Sequence, residues 1–305
     1  MNSLIEGTVT NTSGELSTYF YSVFEKTSNF SFQPLVIEFD TQTRYGDFMY
    51  AKMPNRGQRI LNIFLKLGSI PLHDVEVFEI LIDRNIIYSY TGEYIYIHNE
   101  IRRTVSKRTP SVVIVPIMKF FPVLENTQFR IKIKGSGIKT TPISILVDWV
   151  FDKLPIDGDY VVTQVQTINA NPTKPIFLNF KNIVKELFFV VQDTSEKAFE
   201  YRDQIKNLKL DLNGNTKFDD RGQFFRYLQP MQYHTGNSPG IYMYSFCLHP
   251  EEDAPSGGIN FSRIWNSVIT VTMNDSKPKQ MRIYAISYNV LRVENNKGFL
   301  LLDNI

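Results

Sequence analysis

Residues Gln128–Lys134 read QFRIKIK: Phe129, Ile131 and Ile133 alternate with Arg130, Lys132 and Lys134, the period-two pattern of a strand with one face in a core and the other in water. Gly135-Ser136-Gly137 ends the run. Working outward, similar short apolar or alternating runs occur at Leu35–Phe39, Ile60–Leu67, Val75–Ile82, Ser111–Ile117 and Ile143–Phe151. They resume at Ile176–Phe180, Val184–Gln192, Leu208–Leu212, Ile241–Leu248, Ile269–Met273 and Arg282–Val293, each bounded by Gly, Pro, Asn or Asp. Many short strands with turn punctuation and almost no 3.6-residue periodicity predict an all-β protein of sandwiches or barrels. Two sets of strands imply two sandwiches. Between them Asp152–Thr173 carries Pro155, Gly158, Asn169, Asn171 and Pro172 and reads as the connection. Helical signals are confined to Ser195–Lys206 and Thr216–Tyr233, where Asp219 and Asp220 stand at a helix start before Phe224, Tyr227 and Leu228. Both are predicted as short helices in loops.

Composition agrees. At 305 residues the chain has room for two domains of roughly 150 residues each. Phe (23) and Tyr (16) far outnumber Trp (2), and such residues suit pleated, half-buried surfaces. A net charge of +2, spread evenly along the chain, is less basic than a protein living on nucleic-acid backbones needs. Cys247 is the single cysteine, so an intramolecular disulfide and zinc sites built on paired cysteines are excluded, and reducing, intracellular manufacture is expected. No basic segment followed by an apolar core opens the sequence. The longest apolar stretch, Ser111–Leu124, is broken by Pro116, Lys119 and Pro122.

Enzyme signatures are missing from the sequence. His73, His98, His234 and His249 are scattered, none in an HExxH arrangement, and read as loop or surface histidines. Asp211, Asn213 and Asn215 imitate a calcium loop, but Thr216 and Gly222 occupy its sixth and twelfth positions, so a hairpin turn at Asn213-Gly214 is expected instead. Gly135-Ser136-Gly137 lacks the third glycine of a dinucleotide fingerprint, and neither a P-loop nor a G-x-S-x-G elbow occurs. Glu251, Glu252 and Asp253 are consecutive and cannot flank a glycosidic bond by themselves, which makes a solvated or turn-fixing run the better reading. Arg102, Arg103, Lys107 and Arg108 form a basic cluster expected in a solvated loop. Trp149 and Trp265 offer little for a sugar-binding platform. No cofactor or metal is expected.

The most distinctive stretch is Gly240–Ile264, GIYMYSFCLHPEEDAPSGGINFSRI. Here the sequence resembles the major capsid protein family of the nucleocytoplasmic large DNA viruses. LDLNGNTKFDDRGQFFRYLQPMQYHT (Leu210–Thr235), NFKNIVKELFFVVQD (Asn179–Asp193) and the closing MRIYAISYNVLRVENNKGFLLLDN extend the likeness through the second half. RYGDFMYAKMPNRGQRILNIFLKLGSIP, FEILIDRNIIYSYTGEYIYIHNEI, VVIVPIMKFF and ILVDWVFDKL carry it more loosely through the first. Within the signature, Tyr242, Tyr244 and Phe246 alternate with Met243, Ser245 and Cys247 as a strand that Pro250 stops. Pro255-Ser256-Gly257-Gly258 supplies a turn, and Asn260, Ser262 and Arg263 offer side chains to fasten it.

The resemblance implies two tandem eight-stranded jelly rolls with short helices in loops. The divisions are an N-terminal arm at 1–30, a first roll at 31–155, a linker at 156–173, and a second roll with its tail at 174–305. It implies a structural protein, not an enzyme, whose three copies form a pseudo-hexagonal capsomer of a virion shell assembled in the host cytoplasm. Its partners would be itself and minor capsid or inner-membrane viral proteins, with no direct nucleic-acid binding. The alternative is a double jelly-roll scaffold that shapes a viral membrane during assembly. Pro250, Glu251, Glu252, Pro255, Ser256, Gly257, Asn260, Phe261, Ser262 and Arg263 are the expected signature loop. The inter-roll connection, the arm, and the loops around Thr194–Lys206 and His234–Pro239 are expected to make contacts between subunits.

Overall fold

The computed structural model describes residues 30–40, 44–54, 57–104, 112–135, 142–152, 154–193, 198–277 and 279–302. The expected N-terminal arm lies outside them except for Phe30. The first unit contains β1 (Phe30–Glu38), β2 (Phe48–Lys52), β3 (Arg59–Lys66), β4 (Val75–Ile82), β5 (Asn85–Tyr90), helix α1 (Gly92–Arg102), β6 (Val112–Val115), β7 (Phe121–Pro122), β8 (Thr127–Ile133) and β9 (Ser144–Asp152). One sheet runs β1-β9-β3-β6, with β7 also on β3, and the facing sheet runs β2-β8-β4-β5. All pairings are antiparallel.

The second unit repeats this plan. Its strands are β10 (Gly158–Ala170), β11 (Ile176–Phe177), β12 (Ile183–Asp193), β13 (Ile205–Leu212) and β14 (Asn215–Arg221), followed by a π-helical turn at Phe224–Leu228 and helix α2 (Gln229–Tyr233). β15 (Ile241–Ser245), β16 (Ile259–Asn260), β17 (Ser267–Met273), β18 (Lys279–Glu294) and β19 (Lys297–Leu300) complete it. The sheets run β10-β18-β12-β15 and β11-β17-β13-β14, with β16 on β12 and β19 on β18. Strand for strand, β10 takes the place of β1, β12 of β3, β15 of β6 and β18 of β9. Each unit is thus an eight-stranded jelly roll with a helical segment between its fifth and sixth strands. The two stand in tandem, as the sequence resemblance implied.

Burial explains the patterns. In β8 the residues Thr127, Phe129, Ile131 and Ile133 are buried and Gln128, Arg130 and Lys132 lean to the surface, as the alternation requires. β12 instead reads as an unbroken apolar run, LFFVV, because it is covered on both sides. Leu187, Phe189 and Val191 enter the second roll's core, while Phe188 and Val190 face the first roll. One continuous core therefore holds the first roll and the outer face of the second roll's β12-β15-β18 layer.

Three expectations are corrected. The segment expected as a linker, 156–173, contains the 13-residue strand β10, paired along its length with β18. Its Gln, Thr and Asn content and the prolines on either side disguise a strand whose stability comes from its partner rather than from its own apolar side chains. Ser195–Lys206 shows no helix among its described residues, and β13 begins at Ile205. Asp219 and Asp220 lie in β14, paired with Lys209 and Leu208, so helix begins only at Gly222. The hairpin at Asn213-Gly214 forms as read, with Asn213 at φ 50°.

Candidate functional site

The signature loop fastens the second roll's sheets and reaches the first roll. Pro250 turns its carbonyl inward, where it accepts from Lys185 Nζ (2.7 Å) and Arg102 (3.1 Å), the latter at the end of α1. Ser256 Oγ accepts from the His249 N–H at 2.8 Å, and Gly257 bridges Cys247 at φ +135°, a conformation open to glycine. Asn260 Oδ1 caps the single turn Phe261–Arg263 by accepting from Ser262 N–H, and Ser262 Oγ accepts from Asn182 N–H at 2.8 Å. Phe261 is buried against Phe180 and Phe246. Glu252, Pro255 and Arg263 are exposed.

Beneath this loop lies an ionic junction between the rolls. A β-bulge in β12 between Val184 and Glu186 inserts Lys185, so that two consecutive charged side chains are buried beside the first roll instead of alternating across the sheet. Glu186 and Glu251 hold His234 from both sides, Nε2 to Glu186 and Nδ1 to Glu251, each at 3.0 Å. Burial of the ring opposes its charge, but the two carboxylate hydrogen bonds outweigh it and His234 titrates above the ordinary imidazole range. Burial likewise opposes ionisation of Glu186, and the His234 hydrogen bond with the charges of His234, Lys185 and Arg102 overcomes it, leaving the carboxyl below its usual range. Lys185 is lowered by burial despite Glu186. His98, on α1, is driven well below the imidazole range by burial and then by the nearby cationic groups Arg102, His234 and Lys185.

A second junction sits at the start of α1. Glu93 is buried and accepts from the phenol O–H groups of Tyr201 and Tyr284, with Arg282 beside it. Burial first, and the neighbouring carboxylate second, push both phenols far above their ordinary range, so they remain donors. Phe199 stacks on Tyr96 at 5.1 Å. Further along, Thr235 Oγ1 donates to Arg102 O (2.9 Å) and Gly236 N–H to Ile101 O (2.6 Å).

These placements revise several sequence readings. His98 lies on α1 rather than in a loop, and His234, though in a loop, is not a surface histidine: its side chain is only 1% exposed. The acidic run is divided: Glu251 binds His234, Asp253 accepts from the Lys119 N–H at 2.9 Å, and Glu252 faces solvent. Arg102 lies on a helix, while Lys107 and Arg108 are outside the described residues. α1 itself was not anticipated, because GEYIYIHNEIR alternates like a strand and is covered on several sides, so it lacks one apolar stripe. The signal present was Thr91, whose side chain accepts from Tyr94 N–H as an N-cap.

Comparison with known proteins accords with this architecture. Residues 156–298 match the family model described as large eukaryotic DNA virus major capsid protein. A major capsid protein of Pyramimonas orientalis virus is 30% identical over 203 residues, 56% of this chain and 51% of that protein. One of Phaeocystis pouchetii virus is 43% identical over 103 residues, 32% of this chain and 20% of that protein. The chain thus spans about half the length of the first relative and less of the second. Among solved structures, PBCV-1 VP54 superposes with a TM-score of 0.75 at 18% identity, over 94% of this chain and all of that one. The Faustovirus major capsid protein gives 0.64 at 10% identity, over 93% of each chain. At these identities the structural likeness establishes the double jelly-roll fold.

Proposed function

We propose that this chain, whose second roll carries the sequence of the large eukaryotic DNA virus major capsid protein family, is a structural subunit of a virion shell that assembles as homotrimers. The observation that carries the reading is the fusion of two complete jelly rolls through a shared core, with the family's sequence spanning the second. Three such chains supply six similar rolls for a pseudo-hexagonal tile. The two sheets of each roll pair most strand edges internally, which suits a protein displayed at high density beside copies of itself. The role is architectural rather than catalytic. Further contacts are with neighbouring capsomers and minor capsid or inner-membrane proteins, in shells built in the host cytoplasm.

Light scattering on the purified full chain at micromolar concentration is expected to give three times the 35.4 kDa chain mass. A stable monomer under those conditions overturns the reading. Presence of the chain in purified mature virions separates a shell subunit from an assembly scaffold.

A further inference from the structure

Within the chain, the rolls meet where α1 covers the outer face of the second roll's β10-β18-β12-β15 sheet. The register places Met243, Phe188 and Tyr284 in one row across β15, β12 and β18, and all three are buried. The Tyr94 ring on α1 lies 5.8 Å from Tyr284. α1 is anchored to its own roll through Asn99, which donates to Ile114 O and accepts from Ile114 N–H on β6.

Among the described residues, both halves of this contact occur a second time without their partner. In the first roll the equivalent row across β6, β3, β9 and β1 is Ile114, Phe64, Leu146 and Val36, set by the same antiparallel registers. It is apolar throughout. Val36 is 50% exposed and the other three are partly exposed. Charges flank the row on the same face, Asp148 on one side, accepting from Asn62 Nδ2 at 3.0 Å, and the opposite charges Lys66 and Glu38 on the other. In the second roll the helical segment before β15 is anchored as α1 is, by Gln229 Oε1 accepting from Ser245 N–H on β15. Phe225, Arg226, Gln229 and Pro230 are buried beneath it, and Tyr227, Leu228 and Met231 stand outward, Met231 at 72% exposure. These spacings put the three exposed side chains on one helical face.

We infer that the Ile114–Phe64–Leu146–Val36 row of one copy seats the Tyr227–Leu228–Met231 ridge of a second copy, repeating between chains the contact that joins the rolls within one. The proposal rests on the capsid-subunit reading and adds its interface. The occupant is a second copy because the chain already contains this contact in matched form and retains, among the described residues, one unmatched seat and one unmatched ridge. Such a contact is head-to-tail, and a head-to-tail contact gives a closed ring when its rotation closes.

Incorporating p-benzoylphenylalanine at Met231 of the full chain tests it. Photolysis should join chains, with adducts mapped by mass spectrometry to peptides carrying Val36, Phe64, Ile114 or Leu146. Met231→Glu and Leu146→Lys should each weaken trimerisation at least about tenfold while leaving the thermal midpoint of the monomer unchanged, and combining them should restore much of the loss. A trimer whose adducts map elsewhere, or within one chain to residues 1–29, overturns the interface and leaves the capsid reading standing, as does a trimer indifferent to either charge. A chain that stays monomeric without any substitution overturns both.

Discussion

His234 is held between two carboxylates at the seam of the rolls, and its raised pKa makes the seam sensitive to alkali. Between the ordinary imidazole value of about 6.5 and the raised one, the folded state binds a proton that the unfolded chain releases, so stability falls as pH rises through that window. Glu186 and Glu251, both lowered, act on the opposite limb: their contribution is present above the usual carboxyl range and disappears as pH falls through the folded values. His98, buried and lowered, also withdraws stability below about pH 6.5, where the unfolded chain takes up a proton that the folded one refuses. Thermal unfolding followed from pH 7 to 9, above the range where His98 acts, should therefore show a falling midpoint, and His234→Gln should flatten that decline while costing about 1–3 kcal/mol near pH 7. An unchanged alkaline slope in the variant would show that the proton is bound elsewhere.

At the scale of elements, the Thr235-Gly236 step meets the end of α1 backbone to backbone. A Cβ at Gly236 would lie 2.7 Å from the carbonyl oxygens of both Glu100 and Ile101, so Gly236→Ala should lift the loop from the helix. The expected cost is about 1–3 kcal/mol in denaturant unfolding, with faster hydrogen exchange at that amide. An alanine variant of unchanged stability and exchange would show that the loop yields without effort. The same elements show what a sequence can disclose. β8 was legible because its two faces meet different environments, and the signature loop because Pro250, Gly257 and Asn260 do local work visible in their own chemistry. β10 was not, since its pairing with β18 is non-local, and α1 was not, since a helix covered on several sides has no single stripe. The pairing of His234 with Glu186 was hidden for the same reason: a bulge in β12 aims the carboxylate, and no spacing in the sequence records a bulge.

For the whole molecule, the shared core means that the second roll cannot be removed without exposing Phe188, Val190, Met243 and Tyr284. Calorimetry of the full chain should show one cooperative transition, and residues 156–305 expressed alone should self-associate. Two well-separated transitions would show that the rolls unfold independently. The last strand also returns to the first roll, where Asn85 Nδ2 donates to Gly298 O across 213 residues of chain. That return has a consequence in time. At about 5–20 residues per second, the ribosome delivers Gly298 roughly 10–40 s after Asn85, and through that interval the first roll lacks both its final strap and the face that covers α1. The nascent chain must wait, with its unfinished side exposed, for its own end.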